Sequence, residues 1–311
     1  MSQTVGPAAC QGDSFGYEAP GSLEELAAIL RSEAGGERTP LFLAGGTDLW
    51  VDLRSGKKQA NLVIDLKQLP ELSGVRERED ETGLGALLPI HSLESLPALG
   101  REGQALREAA SALGSYQVRN RATLGGNLGN GAPTADMAAA LIALDAVLEL
   151  WRPDGSGRRV AVTDFWRGAG KTCLGPQEVI CRVWLPRRVG WSSAFLKQGP
   201  RRAMDIAIVN AAVSLKTVKG VIADARVALG GAGATPLRPV GAEAALVGQK
   251  PSMAIFRRAG ELAAEVSDPR GSGRASREYR LSLIPVLTER ALTLAAERLT
   301  SQDDKKVARV K

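Results

Sequence analysis

Glycine and asparagine are concentrated between Thr123 and Asp136, directly before an apolar run. The glycines are Gly125, Gly126, Gly129 and Gly131, and the asparagines are Asn127 and Asn130. Glycine lacks a Cβ, so the backbone can turn with positive φ and approach a ligand closely. Successive N–H groups in such turns form concavities that attract anions. This second glycine stretch, residues 123–136, therefore predicts a cradle for a phosphate-bearing ligand, and a plain loop is the alternative.

Two polar side chains close the second glycine stretch, and two arginines precede it. Thr134 is predicted to cap the following helix, with Asp136 in its first turn, where a carboxylate complements the helix dipole. Arg119 and Arg121 could face a phosphate or form structural ion pairs, and the residues alone leave both open.

An earlier run, Gly45-Gly46-Thr47-Asp48, forms the first glycine stretch, residues 45–48. It follows a short apolar strand, residues 41–44, and precedes a short helix that ends near Leu53. A glycine turn at the carboxyl end of a strand, before a helix, is a recurring phosphate site. It is neither a P-loop, because no Gly-Lys-Ser/Thr follows, nor a GxGxxG fingerprint. A tight turn is the alternative.

Composition narrows the classes of function. The one histidine, His91, excludes a histidine-based metal site within the chain and argues against a Ser-His-Asp triad. Cys10, Cys173 and Cys181 form neither a metal pair nor a disulfide framework, which fits a reducing cytoplasm. We therefore nominate no catalytic residue and no metal ligand in this chain.

The formal net charge is +6, with acidic and basic residues interspersed. Without a basic stripe interleaved with aromatic residues, this balance argues against nucleic acid and fits a phosphate-rich cofactor or an acidic partner. No run of 18 apolar residues predicts a transmembrane helix, and no secretory signal is visible at the N-terminus.

The elements that must position these stretches can be predicted in order. Residues 1–20 are predicted to be a flexible leader. A capping box at Ser22 and Glu25 opens a helix to about Ser32, which Gly35-Gly36 ends. A second strand, at 61–65, follows the short helix and completes a βαβ unit. The later predicted elements of this half are a strand at 83–88, a helix at 104–113, a helix at 137–144, strands at 146–152 and 158–162 around a turn, and a strand at 178–185. The strands from 146 to 186 indicate an antiparallel sheet.

A linker at residues 186–190 is predicted to separate two domains, as the length of 311 residues suggests. The second domain is predicted to begin with three strands, at 191–198, 207–218 and 221–229. Helices at 242–247, 252–266 and 275–299 should follow, with Pro285 kinking or breaking the last one. Residues 301–311 are predicted to be a disordered tail.

These pieces, in this order, resemble a known family. The relevant runs are LAGGTDL at 43–49, RNRATLGGN at 119–127, APTAD at 132–136, the Leu-Asp-Ala step at 144–146, FLK at 195–197, RRAMDI at 201–206, GGAGATPLR at 230–238 and RASREYR at 274–280. From about residue 15 to 299, the chain resembles the FAD-binding (medium) subunit of the molybdenum hydroxylases. This group includes xanthine dehydrogenase and aerobic carbon monoxide dehydrogenase.

The resemblance implies an α+β fold. A para-cresol methylhydroxylase-type FAD-binding module, residues 21–186, would combine a small βαβ subdomain with an antiparallel-sheet subdomain. An α+β C-terminal domain, residues 191–300, would follow. Asp205 and Ile206 would shape access to the flavin ring. The residues that the resemblance assigns to FAD are Phe42, Leu43, Ala44, Gly45, Gly46, Thr47, Asp48, Leu49, Leu113, Thr123, Gly125, Gly126, Asn127, Asp136, Ile180 and Lys197. Gly45 to Thr47 would offer N–H groups to the pyrophosphate, and Asp136 would accept a hydrogen bond from the cofactor.

The resemblance also implies electron transfer. A large molybdopterin-binding subunit would oxidise the substrate, and a small subunit would carry two 2Fe–2S clusters. This chain would pass electrons through FAD to NAD or another acceptor, within a cytoplasmic complex expected to be a dimer of heterotrimers. Thr47 and Asp48 stand where the carbon monoxide branch has His and Ser, which favours a xanthine-dehydrogenase-like branch. A self-contained flavin oxidase and a nucleotide-binding module without redox role are the alternatives. The sequence identifies neither the partner's substrate nor the electron acceptor.

Overall fold

The computed structural model describes residues 15–33, 40–201 and 203–308, and all strands and helices named below lie within these ranges. The strands are β1 Gly16–Glu18, β2 Pro40–Leu43, β3 Leu62–Asp65, β4 Val75–Glu77, β5 Glu81–Gly85, β6 Val147–Trp151, β7 Gly157–Ala161, β8 Trp166–Gly168, β9 Lys171–Thr172, β10 Val179–Pro186, β11 Trp191–Gln198, β12 Val209–Val218 and β13 Val221–Gly230. The helices are α1 Leu23–Ser32, α2 Leu49–Arg54, α3 Ile90–Leu93, α4 Gln104–Ala112, α5 Tyr116–Arg121, α6 Leu124–Gly129, α7 Asp136–Ala143, α8 Val240–Leu246, α9 Met253–Glu265 and α10 Arg277–Ala308. Most of the predicted leader and the predicted Gly35-Gly36 stop lie outside the described residues.

The first layer is a parallel sheet in the order β1-β3-β2, with α1 against it. The predicted N-cap is confirmed, because the Ser22 hydroxyl accepts the Glu25 N–H at 3.2 Å. The Glu25 carboxylate accepts the Gly21 N–H at 2.7 Å, one residue before the Ser22 N–H that a capping box would use. Leu26 and Leu30 are fully buried and bring α1 onto the sheet. The predicted βαβ unit is confirmed, and it places the first glycine stretch at the carboxyl end of β2.

The second layer is an antiparallel sheet in the order β4-β5-β10-β6-β7, as the sequence indicated. Strand β10 is central, and all its residues except Pro186 are buried. The predicted strand at 83–88 ends earlier, at Gly85. The chain turns there, since the Leu88 N–H donates to the Gly85 carbonyl at 3.0 Å and Gly85 lies against the Leu72 carbonyl, with no room for a Cβ.

Of helices α4 to α7, α6 contacts the central strand β10, whereas α4 and α7 pack mainly on β11, β12 and β13 of the C-terminal part. The sequence predicted α4 and α7 but neither α5 nor α6, which occupy the polar and glycine-rich segments before Asp136. Every residue of α7 is buried, and its four alanines let it pack closely on both sides. The core around α7 includes Phe195, Ala212 and Ala228 from the C-terminal part, so α7 joins the two halves of the chain.

The C-terminal part begins with the predicted antiparallel meander β11-β12-β13, and α8, α9 and α10 form one core with it. The expected break at Pro285 is wrong, since α10 passes through this proline without interruption. A Cβ at Gly260 would lie 2.6 Å from the Pro285 carbonyl oxygen, so α9 approaches α10 closely there. We attribute the continuity of α10 to this packing, which offsets the hydrogen bond that proline removes.

Helix α10 also extends to Ala308, past residue 300, where a disordered tail was predicted; residues 309–311 lie outside the described residues. Among the described helices, none is both long enough and apolar enough to cross a membrane.

Candidate functional site

A cavity of about 730 Å³ lies between the two glycine stretches and a loop of the C-terminal part, residues 199–207. Its size is in the range of cofactor sites. Fourteen of the residues assigned to FAD line it: Phe42, Ala44, Gly45, Gly46, Thr47, Asp48, Leu49, Leu113, Thr123, Gly125, Gly126, Asn127, Asp136 and Ile180. Leu43 and Lys197 do not line it. The individual contacts to a cofactor stay predictions.

The first glycine stretch forms the turn between β2 and α2. Gly46 has a φ of +75°, and a Cβ there would lie 2.8 Å from the Trp50 ring, so both conformation and space favour glycine. No hydrogen bond joins the backbone N–H of Gly45, Gly46, Thr47 or Asp48 to another described residue. These four consecutive donors are therefore available to an anion in the cavity, and the predicted contact with phosphate stays a prediction.

The second glycine stretch differs from its prediction, because residues 124–129 form α6. The Thr123 hydroxyl caps this helix by accepting the Gly126 N–H at 3.1 Å. The Leu124 N–H donates to Leu88 at 3.0 Å and the Gly125 N–H to Ala86 at 2.7 Å. The expectation of an open cradle of N–H donors here is wrong, since the protein itself uses the first donors of the helix.

What α6 presents to the cavity is bare backbone. Gly126 and Gly129 lie three positions apart, on one face of the helix, and both are exposed. A Cβ at Gly129 would meet no atom within 4 Å, whereas a Cβ at Gly126 would lie 2.8 Å from the Thr123 hydroxyl. Of the four glycines in the stretch, only Gly131 has a positive φ, +68°. The glycines of α6 therefore leave space beside the helix for a ligand.

The two stretches pack directly on each other. A Cβ at Gly45 would overlap the carbonyl oxygen of Arg121, the last residue of α5, two positions before the second stretch. The Asn130 amide donates to the Asp48 carboxylate at 3.2 Å, across 82 positions of sequence. Burial raises the pKa of Asp48, and the nearby charge of Asp52 raises it further. The free donors of the first stretch thus face the same cavity as the bare surface of α6.

One buried polar atom between the two stretches lacks a hydrogen-bond partner that a ligand could supply. The side-chain oxygen of Asn127 is buried and has no hydrogen-bond partner among the described residues, and Asn127 lines the cavity. A buried acceptor without a donor is costly. Donors such as hydroxyl or amide groups of a cofactor would satisfy it. Together with the open space at Gly129, this atom fits a bound group between the two stretches.

Asp136 lies at the other end of the cavity and belongs to a buried charge cluster. Its oxygens accept from Lys197 Nζ at 2.7 Å and from the Asn210 amide at 2.9 Å. Lys197 Nζ also donates to the carbonyls of Ala112 and Asp205, at 3.0 and 3.1 Å. Because all three Lys197 protons have protein acceptors, the ammonium group acts on the cavity through Asp136.

Burial raises the pKa of Asp136, and the positive charge and hydrogen bonds of Lys197, with the amide of Asn210, oppose the rise. The predicted helix cap at Thr134 is wrong: the capping position is Ala135, which makes no side-chain cap.

Another wall of the cavity is apolar and ends at Glu178, whose carboxylate is paired with two arginines. Leu113 and Ile180 line it, with Leu174 beside them, and the FAD contacts that the resemblance assigns to them stay predictions. Glu178 accepts from Arg158 and from Arg152, each at 2.7 Å. These arginines hold the pKa of Glu178 down, at about 2, with the Arg158 hydrogen bond as the main cause. Among the two arginines left open by the sequence, Arg119 pairs with Glu94 at 2.6 Å and so has a structural role.

Several lining residues escaped the sequence reasoning. Ser115 caps α5 by accepting the Val118 backbone N–H at 3.2 Å, so the serine at the start of the 115–121 segment was an available helix-start signal. Met204, in the 199–207 loop, is exposed and has a φ of +54°; the sequence included it only within the RRAMDI motif. Arg274 was noticed only as part of a motif. Other lining residues that the sequence did not single out include Lys58, Leu66, Leu72, Ala86, Leu87, Gly114, Val118, Leu174, Val179, Pro200 and Ala207.

Two family models match the chain and together cover most of it. The model described as the FAD binding domain in molybdopterin dehydrogenase matches residues 13–188. The model described as the CO dehydrogenase flavoprotein C-terminal domain matches residues 194–295.

Individual relatives are similar over both parts. The putative xanthine dehydrogenase FAD-binding subunit of Escherichia coli strain K12 is 33% identical over 257 residues, 82% of this chain and 88% of that protein. The carbon monoxide dehydrogenase medium chain of Afipia carboxidovorans is 31% identical over 286 residues, 92% of this chain and 98% of that protein. A solved carbon monoxide dehydrogenase from Hydrogenophaga pseudoflava superimposes with a TM-score of 0.86 at 31% identity, covering 91% of this chain and 98% of that one.

Proposed function

The chain belongs to the FAD-binding medium subunits of the molybdenum hydroxylases, and from this membership we propose that it carries electrons from a partner's 2Fe–2S clusters through FAD to an acceptor. It is an oxidoreductase subunit whose cofactor is FAD. The single observation that carries the proposal is the cavity between the two glycine stretches. It combines free N–H donors, bare glycine surface and an apolar wall.

Each part of the cavity suits one part of FAD. The N–H groups of Gly45 to Asp48 would bind the pyrophosphate, because consecutive backbone donors stabilise anionic oxygens. Gly126 and Gly129 would let the cofactor lie against α6, and Asn127 would accept a hydrogen bond from it. Leu113 and Ile180 would contact apolar cofactor surface. These assignments are ours, and each can be tested separately.

When bound, FAD supplies redox chemistry that can exchange electrons singly or in pairs. The protein's residues do the binding and orienting. No described group that lines the cavity is arranged as a nucleophile with a base: Asp136 is held by Lys197 and Asn210, and Glu178 by two arginines. The residues around the cavity therefore fix and shield a cofactor and leave substrate oxidation to a partner.

The partners follow from the same proposal. A large molybdopterin-binding subunit and a small 2Fe–2S subunit would complete the complex, as a dimer of heterotrimers. Thr47 and Asp48 favour a xanthine-dehydrogenase-like member, with NAD as a candidate acceptor. We also propose a cytoplasmic location, because Cys173 and Cys181 are both free thiols. The proposed division into 21–186 and 191–300 is supported by the two matched ranges, 13–188 and 194–295.

The experiment compares the native complex with the same complex stripped of FAD. Limiting dithionite should reduce the 2Fe–2S clusters of both, whereas only the FAD-containing complex should reduce an added acceptor. Adding FAD back should restore acceptor reduction. Acceptor reduction at full rate without FAD would contradict the proposal.

The two alternatives predict other results. A self-contained flavin oxidase predicts that the isolated, FAD-loaded chain is reduced directly by an organic substrate. A nucleotide-binding module without redox role predicts that the purified chain is colourless. Either result would replace the electron-transfer proposal.

A further inference from the structure

Asp48 places a carboxylate among the backbone donors of the first glycine stretch. It lines the cavity as an exposed residue, and the free N–H groups of Gly45 to Asp48 belong to the same turn. Its side chain accepts a hydrogen bond from the Asn130 amide at 3.2 Å and forms no ion pair with another described residue. A negative charge therefore lies beside four consecutive donors that are suited to an anion.

The other carboxylates that line the cavity provide the contrast. Asp136 and Asp205 share the ammonium group of Lys197, at 2.7 and 3.5 Å. Glu178 is paired with two arginines. Asp48 is thus the lining carboxylate that has no basic partner within the described part of the chain.

The cations closest to Asp48 along the chain pair with a different carboxylate. Lys57 and Lys58 contact Asp52 of α2, at 2.9 and 3.7 Å. Helix α6, on the facing side, contains no charged residue, and only the amide of Asn130 beyond its end reaches Asp48. The charged groups that face the Asp48 carboxyl are therefore Asp52, Lys57 and Lys58.

These surroundings favour the protonated form of Asp48. Although the residue is exposed at the cavity, the protein atoms around its carboxyl raise the pKa above the ordinary value of 3.8, and the charge of Asp52 raises it further. The charges of Lys57 and Lys58 act in the opposite direction. The hydrogen bond from Asn130 uses Oδ2, so Oδ1 can carry a proton.

A pyrophosphate at the same turn would add a second anion beside this carboxylate. Two like charges held close together repel, and the repulsion is removed when one of them is neutralised. A protonated carboxyl also becomes a hydrogen-bond donor, which an ionised one cannot be.

We propose that Asp48 couples cofactor binding to the uptake of one proton. As the pyrophosphate binds, Asp48 Oδ1 takes a proton from the solvent and donates it in a hydrogen bond to a phosphate oxygen. This inference rests on the proposed FAD site and assigns to Asp48 a role that the backbone donors of Gly45 to Asp48 do not have.

The proposal fixes the sign of the pH dependence. The anion raises the pKa of the Asp48 carboxyl in the complex above that in the free protein. Between these two pKa values, binding takes up a proton, so the affinity for FAD decreases as the pH rises, by at most about tenfold per pH unit. Below both values Asp48 is protonated in both states, and the affinity is constant.

The test titrates the FAD-stripped native complex with FAD from about pH 5 to about pH 8, a range in which an ordinary aspartate is already ionised. Calorimetry in two buffers of different ionisation enthalpy measures the protons taken up. Asp48→Asn keeps an oxygen for Asn130 and adds an amide that donates at every pH. Asp80→Asn, at an exposed residue outside the cavity lining, is the matched control, and riboflavin is the probe without phosphate.

In the original chain, the affinity for FAD should fall at least about tenfold across this range, because like charges at close range repel by at least that much. Uptake should approach one proton. Asp48→Asn should bind FAD with an affinity that does not change with pH and that exceeds the original at high pH. Asp80→Asn should behave like the original chain, and riboflavin binding should be independent of pH.

Equal pH dependence in Asp48→Asn and the original chain would overturn the inference. Weaker FAD binding by Asp48→Asn at every pH would also overturn it, because the ionised carboxylate would then be the favourable form. An affinity that depends on added Mg²⁺ and not on pH would replace the proton by a bridging cation. A complex that binds FAD without proton uptake would overturn this inference alone, whereas a complex that binds no FAD would overturn the proposed function.

Discussion

The two glycine stretches line the same cavity in different ways. In the first, residues 45–48, the backbone N–H groups have no partner among the described residues. In the second, α6 has its first N–H groups bonded to Ala86, Leu88 and the Thr123 hydroxyl. The first stretch therefore supplies donors, and the second supplies bare surface at Gly126 and Gly129.

This difference shows that glycine content alone does not identify an anion site. Glycine is required in the first stretch because Gly46 has a positive φ and Gly45 lies against the Arg121 carbonyl. In α6, Gly125 is packed on Ala86, while Gly129 has open space. What matters is whether a group already bonds to or packs against the protein itself or is left free for a ligand. Five predictions test this distinction.

The largest effect is expected at the buried charge cluster, whose groups are all used by the protein. Lys197→Met removes the cation from between Asp136 and Asp205 and should lower the free energy of unfolding by about 3–5 kcal/mol, because buried carboxylates lose their partner. Denaturant unfolding of the FAD-free chain measures this. Lys216→Met, which removes a lysine with no ion-pair partner among the described residues, is the control. Unchanged stability with weakened FAD binding would instead support the direct cofactor contact that the resemblance implied.

The next effect is expected where the two stretches touch. Gly45→Ala places a methyl group on the Arg121 carbonyl oxygen, so the main chain must shift. We expect a loss of about 3 kcal/mol in unfolding free energy, from overpacking. Chemical denaturation of the FAD-free variant is the measurement. Stability equal to that of the original chain would show that the two stretches do not pack as described.

The third prediction concerns Glu178, an ion-paired carboxylate of the cavity wall, and is tested by varying the pH. Its folded-state pKa, about 2, lies below its ordinary value of 4.5. The stabilisation is therefore complete above pH 4.5 and is lost as the pH falls toward 2. This stabilisation contributes at most about 3 kcal/mol to the free energy of unfolding. Unfolding free energies measured across this range should fall more steeply for the original chain than for Glu178→Gln. Identical pH dependence would contradict the ion pairs with Arg152 and Arg158.

Gly129 tests the open surface of α6. Gly129→Val fills space where a Cβ meets no protein atom, so the FAD-free chain should keep its stability to within about 1 kcal/mol. FAD should bind at least about tenfold more weakly, since the side chain takes up its space. Fluorescence titration with FAD measures the affinity.

Gly125→Ala is the matched control, because its Cβ would lie 2.7 Å from the Ala86 Cβ and disturb the protein first. Gly126→Val is a less selective variant. A Cβ at Gly126 would also disturb the Thr123 cap, so Gly129 separates the two effects better. Unchanged FAD affinity in Gly129→Val would remove α6 from the proposed site.

The smallest effect is expected at Asn127. Asn127→Ala removes the side-chain oxygen that has no partner among the described residues, so stability without FAD should change by less than about 0.5 kcal/mol. FAD affinity should fall about fivefold, the value of one hydrogen bond of about 1 kcal/mol. The same titration measures it. A destabilised FAD-free variant with normal affinity would assign Asn127 to the protein's own packing.

Much of the fold follows from local signals in the sequence. The N-cap at Ser22, the alternation in β6 and the β12–β13 hairpin around Lys219 and Gly220 all agree with the structure. The failures have physical causes. The glycine-rich composition of α6 favours a loop. The helix forms because Thr123 caps it and because the carbonyls of Ala86 and Leu88, distant in sequence, accept its first N–H groups.

The site was predictable to a similar degree. Order and spacing of motifs indicated residues that the fold brings to one cavity from β2, α4, α6, α7 and β10. Which groups are free could not be predicted, because it depends on partners distant in sequence. Lys197 is the clearest case, since its position suggested a ligand contact while its three protein acceptors are visible only in the fold.

The location of FAD tests the central claim most directly. A cryo-electron microscopy map of the FAD-loaded complex would place the cofactor relative to the two glycine stretches. We predict its pyrophosphate within hydrogen-bond distance of the N–H groups of Gly45 to Asp48, with the cofactor against Gly126 and Gly129. A pyrophosphate bound at Arg201 and Arg274, or an FAD molecule outside this cavity, would contradict the account.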